Sequence, residues 1–186
     1  MNKIIKSDLE WKKILSEEKD SKVREMKSSA YEGMASSLLN YKEEYKYTPL
    51  LRKIEKKFNS LSPEKSLNKN IKDYKGLIPQ SEKFYLFILN GNYEESLSNK
   101  PDNILVSEYS KLSIKQKEEF SKSYSKYDDS KSDFFSSANT INHDDCLIIR
   151  IERNKALKEN IAIINIIDSS QPTYFRKCII VEKNSE

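Results

Sequence analysis

The sequence contains very little glycine. Only three glycines occur in 186 residues, at Gly33, Gly76 and Gly91, and they are far apart. Phosphate-binding loops such as GxGxxG or GxxxxGK[ST] need closely spaced glycines so that backbone amides can approach the phosphate. The sequence therefore argues against the standard nucleotide-binding folds.

Long apolar runs and abundant cysteine are also missing. Charged residues follow the start of the chain at once, and no stretch approaches the roughly 18 apolar residues of a membrane span. Cys146 and Cys178 are the only cysteines. Without a secretory signal they are expected to be reduced thiols that behave as small buried hydrophobes. We expect a cytoplasmic protein with no membrane association and no cofactor.

The charges are numerous but nearly balanced. Basic residues number 33 and acidic residues 29, giving a net charge of +4, while 37% of the residues are hydrophobic. A chain of this length buries enough surface to fold without metals or disulfides. We expect one domain over residues 1–186, with electrostatic roles confined to local clusters.

The first part of the chain has the pattern of amphipathic helices. Ser7 and Glu10 form a capping box, and apolar residues then recur every three or four positions. Thr48-Pro49 and Ser62-Pro63 each begin a new helix, and Gly76 ends the last one. We predict about four helices over residues 7–75, followed by a mixed middle region over residues 76–124.

The last part has the pattern of strands. Serine, aspartate and asparagine dominate residues 125–145, which predicts a mobile loop. Three β-branched and aromatic runs follow within residues 146–183, and we interpret them as an antiparallel three-stranded meander: residues 146–151, 161–167 and 174–181. Residues 84–89 are apolar throughout, and periodicity cannot assign them, although Pro79 and Ser81 upstream favour a short helix. No repeat of fixed period is evident.

These patterns predict an α+β fold in which a helical N-terminal part packs on a small C-terminal antiparallel sheet. A three-stranded sheet with a nearly all-apolar middle strand must be covered. The amphipathic helices, or a second copy of the chain, would provide that cover.

The clearest candidate binding feature is a basic face on the predicted helices of residues 49–75. Within these residues, eight are basic and only three are acidic. The residues proposed to contact a partner are Arg52, Lys53, Lys56, Lys57, Lys65, Lys69 and Lys72. A solvated helix face explains lysines equally well, and specific nucleic-acid contacts favour arginine, so an acidic protein surface is the preferred partner.

The polar segment 125–145 provides two further candidates. Phe134 and Phe135 are adjacent aromatics that either anchor into the protein's own core or contact a partner. His143 lies near Cys146 and several aspartates, which raises the alternative of a small hydrolase or a metal site. The spacing matches no standard metal motif, and catalytic pairs are usually distant in sequence.

The sequence thus favours a non-enzymatic binding protein, such as a regulator, an inhibitor or an immunity-like protein. It would bind another protein through the basic face and the acidic loop, with a homo-oligomer left open. The alternatives are a nucleic-acid-binding protein that uses the lysine-rich helices, and a hydrolase built around residues 143–146.

Overall fold

The computed structural model describes residues 8–44, 47, 56, 71–124, 134–170 and 172–186. The chain divides into two compact units, one of residues 1–63 and 115–143 and the other of residues 64–114 and 144–186. We call them the helical unit and the strand unit. Helices lie mostly in the N-terminal half and strands in the C-terminal half, which confirms the α+β class. The prediction of one domain over residues 1–186 stays a prediction.

Four α-helices are found among the described residues, and the helical unit contains nearly all of their length. Their bounds are α1 (Asp8–Glu17), α2 (Ser21–Glu44), α3 (Ile114–Tyr124) and α4 (Phe134–Asn142). In the part of the chain that the structure describes, none of them has the length and apolarity to cross a membrane.

Helix α2 begins after an aspartate cap. The Asp20 carboxylate accepts hydrogen bonds from the backbone amides of Lys22 at 3.1 Å and Val23 at 3.3 Å. These amides have no partner within the helix, so the cap stabilises its first turn by about 1 kcal/mol. The buried Lys27 ammonium, one turn further on, lies 3.2 Å from the Glu18 carboxylate.

Helix α4 occupies part of the segment for which we predicted a loop, and it packs along α2. Its buried residues include Phe134, Ala138 and Ile141, which are spaced by four and three positions and so share one helix face. Ala30 and Met34 of α2 are buried too. The structure therefore corrects the loop prediction over residues 134–142, because this apolar spacing outweighs the turn-forming composition. Residues 125–133 lie outside the described part.

The strand unit contains two mixed sheets of three strands each. The strands are β1 (Phe84–Leu89), β2 (Asn92–Tyr93), β3 (Ile104–Glu108), β4 (Cys146–Ile151), β5 (Ile161–Ile166) and β6 (Arg176–Val181). The first sheet has the order β2-β1-β5 and the second β3-β4-β6. In each sheet the first pair is antiparallel and the second is parallel.

The two sheets enclose an apolar core. Leu86 and Ile88 of β1 lie in one cluster with Leu147 and Ile149 of β4. On the other face of β1, Phe87 and Leu89 pack with Tyr74, which belongs to a 3-10 helix (Ile71–Leu77). Strand β1 is therefore buried on both faces, and the helix favoured for residues 84–89 is wrong.

The antiparallel meander is also wrong. The three C-terminal runs do form strands, but β4 and β6 pair in parallel, and β5 lies in the other sheet beside β1. Strands β4, β5 and β6 begin at Cys146, Ile161 and Arg176, 15 residues apart. The chain thus crosses from one sheet to the other and back in 30 residues, as in one coil of a β-solenoid. Strand β5 serves as the crossover that parallel pairing requires.

A repeated turn accompanies this coil. Asn154 follows β4 with φ of 60°, and Asn184 follows β6 with φ of 59°. The Asn184 side-chain amide donates a hydrogen bond of 3.1 Å to the Asn154 side-chain oxygen. Asparagine tolerates the left-handed conformation better than most residues, so it suits both turns.

Candidate protein-binding surface

Most of the predicted basic face lies outside the described residues. Arg52, Lys53, Lys57, Lys65 and Lys69 belong to that part. Lys56 is exposed, and the backbone of Lys72 lies in the 3-10 helix Ile71–Leu77. The proposed partner contacts of these residues therefore stay a prediction.

The two adjacent phenylalanines have different environments. Phe134 is 1% exposed and belongs to the core, whereas Phe135 is 39% exposed. Their rings meet edge to face with centroids 5.3 Å apart. Phe134 can reach a partner only if α4 loosens, so Phe135 is the member of the pair that is available for contact.

His143 and Cys146 are both buried. His143 directly follows helix α4, and its backbone amide donates to the Asn139 carbonyl at 2.9 Å, while its Nδ1 lies 3.1 Å from the same oxygen. Cys146 is fully buried at the start of β4. A buried thiol beside apolar neighbours is usually inert. These environments account for both residues structurally and give no support to a hydrolase.

The described residues also bear on the alternative of a metal site. Among the described residues, no group of three or more histidine, cysteine, aspartate or glutamate side chains is placed to hold a metal ion. Burial raises the pKa of the Cys178 thiol, and the nearby Arg176 offsets part of that rise. The thiolate form that binds metals is therefore disfavoured at Cys178.

The exposed side of β6 is the most distinctive surface of the strand unit. Ile179 pairs with Ile149, and Val181 pairs with Ile151, so their side chains point to the core side of the sheet. Ile149 and Ile151 are buried, yet Ile179 is 56% exposed and Val181 54% exposed. Core-side residues are thus uncovered at this end of the two sheets.

Charged groups and backbone pairing hold β6 in place. The Arg150 guanidinium forms an ion pair with the Glu182 carboxylate, which also accepts the Arg153 amide at 3.1 Å. After the strand, the Leu157 amide donates to the Glu186 carbonyl at 2.8 Å, and the Glu186 amide donates to the Lys155 carbonyl at 3.1 Å. The strand is therefore anchored on the β4 side.

A second polar cluster joins β1 to the end of β5. The Tyr74 hydroxyl donates to the Asp168 carboxylate at 2.8 Å, and the Asp168 amide donates to the Asn90 side-chain oxygen at 2.7 Å. Burial raises the pKa of Tyr74, and the Asp168 hydrogen bond and charge raise it further. This cluster holds the crossover strand against β1.

The sequence contains signals for two features that the sequence-based predictions missed, the β1–β2 hairpin and the solenoid coil. Asn90-Gly91 between two apolar runs is a strong hairpin signal, and β1 and β2 form that hairpin. The runs Ile151-Glu152-Arg153-Asn154 and Val181-Glu182-Lys183-Asn184 repeat after 30 residues. Comparison of these two tetrapeptides would have indicated the solenoid coil.

Comparison with known protein families gives a match over most of the chain. A family model described as the SufBD protein N-terminal region matches residues 8–163, from α1 into β5. The chain therefore belongs to the SufBD N-terminal region family, a family of iron–sulfur cluster assembly proteins. A search of curated proteins finds no match. Strand β6 and its turn lie beyond the matched residues.

Proposed function

We propose that this chain is a protein-binding component of iron–sulfur cluster assembly in the cytoplasm. The observation that carries the proposal is the family match over residues 8–163. Proteins of this family act in complexes with other proteins, and a binding role agrees with the prediction from composition. The chain would work by holding its partners together.

Two surfaces are proposed to contact partners. One is the basic helical face from Arg52 to Lys72, with Phe135 as a further apolar contact. Its excess of positive charge would attract an acidic protein surface and speed association. The other is the apolar edge of β6, where Ile179 and Val181 are exposed.

The described residues favour partner binding over direct coordination of a cluster. Cys146 is buried, and the raised pKa of Cys178 disfavours its thiolate. Iron–sulfur clusters are held mainly by cysteine thiolates. The cluster would therefore be the cargo of the assembly and not a group that these two cysteines hold.

Depletion of the protein tests the assignment to cluster assembly. We expect the activity of an enzyme that needs a [4Fe–4S] cluster to fall several-fold, while a cluster-free enzyme of the same cells keeps its activity. Restoring the chain should restore the first enzyme. Equal behaviour of the two enzymes would contradict the proposal.

Charge reversal tests the basic face. The triple change Lys53→Glu, Lys56→Glu and Lys57→Glu should reduce co-purification with other cluster assembly proteins at least tenfold. The matched control is Lys115→Glu, Lys155→Glu and Lys158→Glu, which changes the net charge equally at three exposed positions. An equal loss in both variants would point to overall charge and remove the basic face from the proposal. Retention on nucleic acid that falls steeply with salt would instead favour the nucleic-acid alternative.

A further inference from the structure

The turn between β1 and β2 contains the single Asn-Gly step of the sequence, Asn90-Gly91. Asparagine is one of the thermolabile amino acids, because the backbone nitrogen of the following residue can attack its side-chain carboxamide. Glycine leaves that nitrogen unhindered, since it has no Cβ. Among the described residues, no hydrogen bond is donated by the Gly91 amide. The attacking nitrogen of this reaction is therefore not engaged elsewhere.

The other reacting group, the Asn90 carboxamide, is held by the residue two positions after β5. Its oxygen accepts a hydrogen bond of 2.7 Å from the Asp168 backbone amide, and its nitrogen donates one of 3.4 Å to the Asp168 carbonyl. We call these two contacts the Asp168 clamp. Both polar atoms of the carboxamide are engaged, so the group is free to close a ring with the Gly91 nitrogen only when the clamp opens.

Asp168 is held in turn by a buried tyrosine. The Tyr74 hydroxyl donates to the Asp168 carboxylate at 2.8 Å. Tyr74 is 3% exposed and packs against the outer face of β1, so its hydroxyl has little freedom to move. Loss of this hydroxyl would loosen Asp168 and leave both Asn90 and Gly91 unchanged. The clamp can thus be weakened without altering either reacting residue.

We propose that Asn90 is a self-modification site, at which the Gly91 nitrogen displaces ammonia from the carboxamide whenever the Asp168 clamp opens. The Gly91 nitrogen loses its proton and bonds to Cγ of Asn90. The bond from Cγ to Nδ2 then breaks, and Nδ2 leaves as ammonia. Water opens the resulting cyclic imide at either of its two carbonyls and gives aspartate or isoaspartate. Water is the only co-reactant.

Both products change the joint between β1 and β5. An aspartate at position 90 is ionised at neutral pH and has no hydrogen to donate to the Asp168 carbonyl. An isoaspartate adds a methylene to the backbone within the two-residue turn, which then no longer fits the pairing of Leu89 with Asn92. Because the ammonia diffuses away, modified chains accumulate and record how often the clamp has opened.

Peptide mapping by mass spectrometry measures the reaction in the full chain. In neutral buffer, we expect Asn90 to deamidate at least tenfold more slowly in the folded chain than in guanidinium chloride. Asn154 and Asn184 are internal controls, because they share its left-handed conformation in the folded chain but precede Lys155 and Ser185. Both should react more slowly than Asn90 in the denaturant. Equal rates for Asn90 in the folded and unfolded chain, or no reaction in the denaturant, would overturn the proposal.

Two variants separate the clamp from overall stability. Tyr74→Phe removes the hydroxyl that holds Asp168, and we expect Asn90 to deamidate about fivefold faster in the folded chain, as for the loss of one hydrogen bond. Glu182→Ala is the matched control, because it removes the ion pair with Arg150 and leaves the clamp intact. Its rate should stay within about twofold of the parent rate. Equal acceleration in both variants would mean that the reaction occurs from the unfolded chain, which contradicts control by the clamp.

Gly91→Ala tests the chemistry in guanidinium chloride, where its effect on folding does not matter. The added Cβ should slow deamidation of Asn90 at least fivefold. An unchanged rate would show that the Gly91 nitrogen is not the attacking group. Circular dichroism in neutral buffer confirms that Tyr74→Phe and Glu182→Ala are folded. This inference goes beyond the proposed function and does not depend on it, so its failure leaves the cluster-enzyme and charge-reversal experiments unaffected.

Discussion

Replacement of Gly91 by alanine tests how the β1–β2 hairpin is held against the segment before β6. Asn90 and Gly91 form its two-residue turn with φ of 49° and 85°, and Leu89 pairs with Asn92 across it. Positive φ at both positions is typical of a type I′ turn, which matches the twist of the flanking strands. A Cβ at position 91 would also lie only 2.8 Å from the Tyr174 carbonyl oxygen.

Two costs and one gain set the expected magnitude. The left-handed conformation costs alanine about 1–2 kcal/mol, and overpacking against rigid backbone adds about 1–3 kcal/mol. Reduced freedom of the unfolded chain returns about 0.4–1 kcal/mol. We therefore expect Gly91→Ala to lower the free energy of unfolding by about 2–4 kcal/mol.

Gly76→Ala is the matched control. Gly76 lies in the 3-10 helix Ile71–Leu77, and a Cβ there would meet nothing within 4 Å. Its unfolding free energy should stay within about 1 kcal/mol of the parent value. Thermal unfolding followed by far-ultraviolet circular dichroism compares the two. We expect Gly91→Ala to lower the midpoint by roughly 4–16 °C. Similar midpoints for both variants would refute the role of the close approach to Tyr174.

Three further predictions concern the same unit. Burial raises the pKa of Tyr174 to about 12. The contribution of its protonated phenol to stability is therefore fully present below about pH 10 and is lost as the pH rises from 10 to 12. In urea titrations, the unfolding free energy of Tyr174→Phe should change less across this pH range than that of the unchanged chain. Asn154→Ala should lower the unfolding free energy by about 1 kcal/mol more than Asn154→Gly, because only the alanine is strained at φ of 60°. Equal unfolding midpoints of the two variants would contradict this prediction. Glu182→Ala removes the ion pair with Arg150 and should lower the unfolding free energy by about 1–2 kcal/mol. Glu152 is exposed and lies one coil earlier, so Glu152→Ala should change the unfolding free energy by less than about 0.5 kcal/mol. Denaturant titration measures both variants.

The positions of the secondary structure could be predicted well wherever local chemistry decides them. The predicted strand of residues 146–151 has the same bounds as β4, and the predicted helical part over residues 7–75 contains α1 and α2. Failures occurred where long-range contacts decide. Residues 84–89 form a strand because partners lie on both faces and on both edges, and a pattern within six residues cannot encode such partners.

The candidate site could be predicted only in outline. Composition indicated a protein that binds other proteins, and the basic residues were visible as a cluster in the sequence. The exposed edge was not predicted, because the same Ile-Val pattern forms a core strand or an edge according to what pairs beside it. Ile149 and Ile179 are chemically identical and paired, yet one is 5% exposed and the other 56% exposed.

The lengths of the connections explain why the meander was the wrong topology and why the edge exists. Residues 152–160 and 167–175 separate the three strands by nine residues each, which is longer than the usual two to five residues of a hairpin. Equal connections of this length allow the chain to cross between two sheets and return one strand further along. Each returning strand then pairs with the strand one coil earlier, as β6 pairs with β4. The exposure of Ile179 and Val181 follows from the same geometry, because among the described strands β6 is paired on its β4 side only.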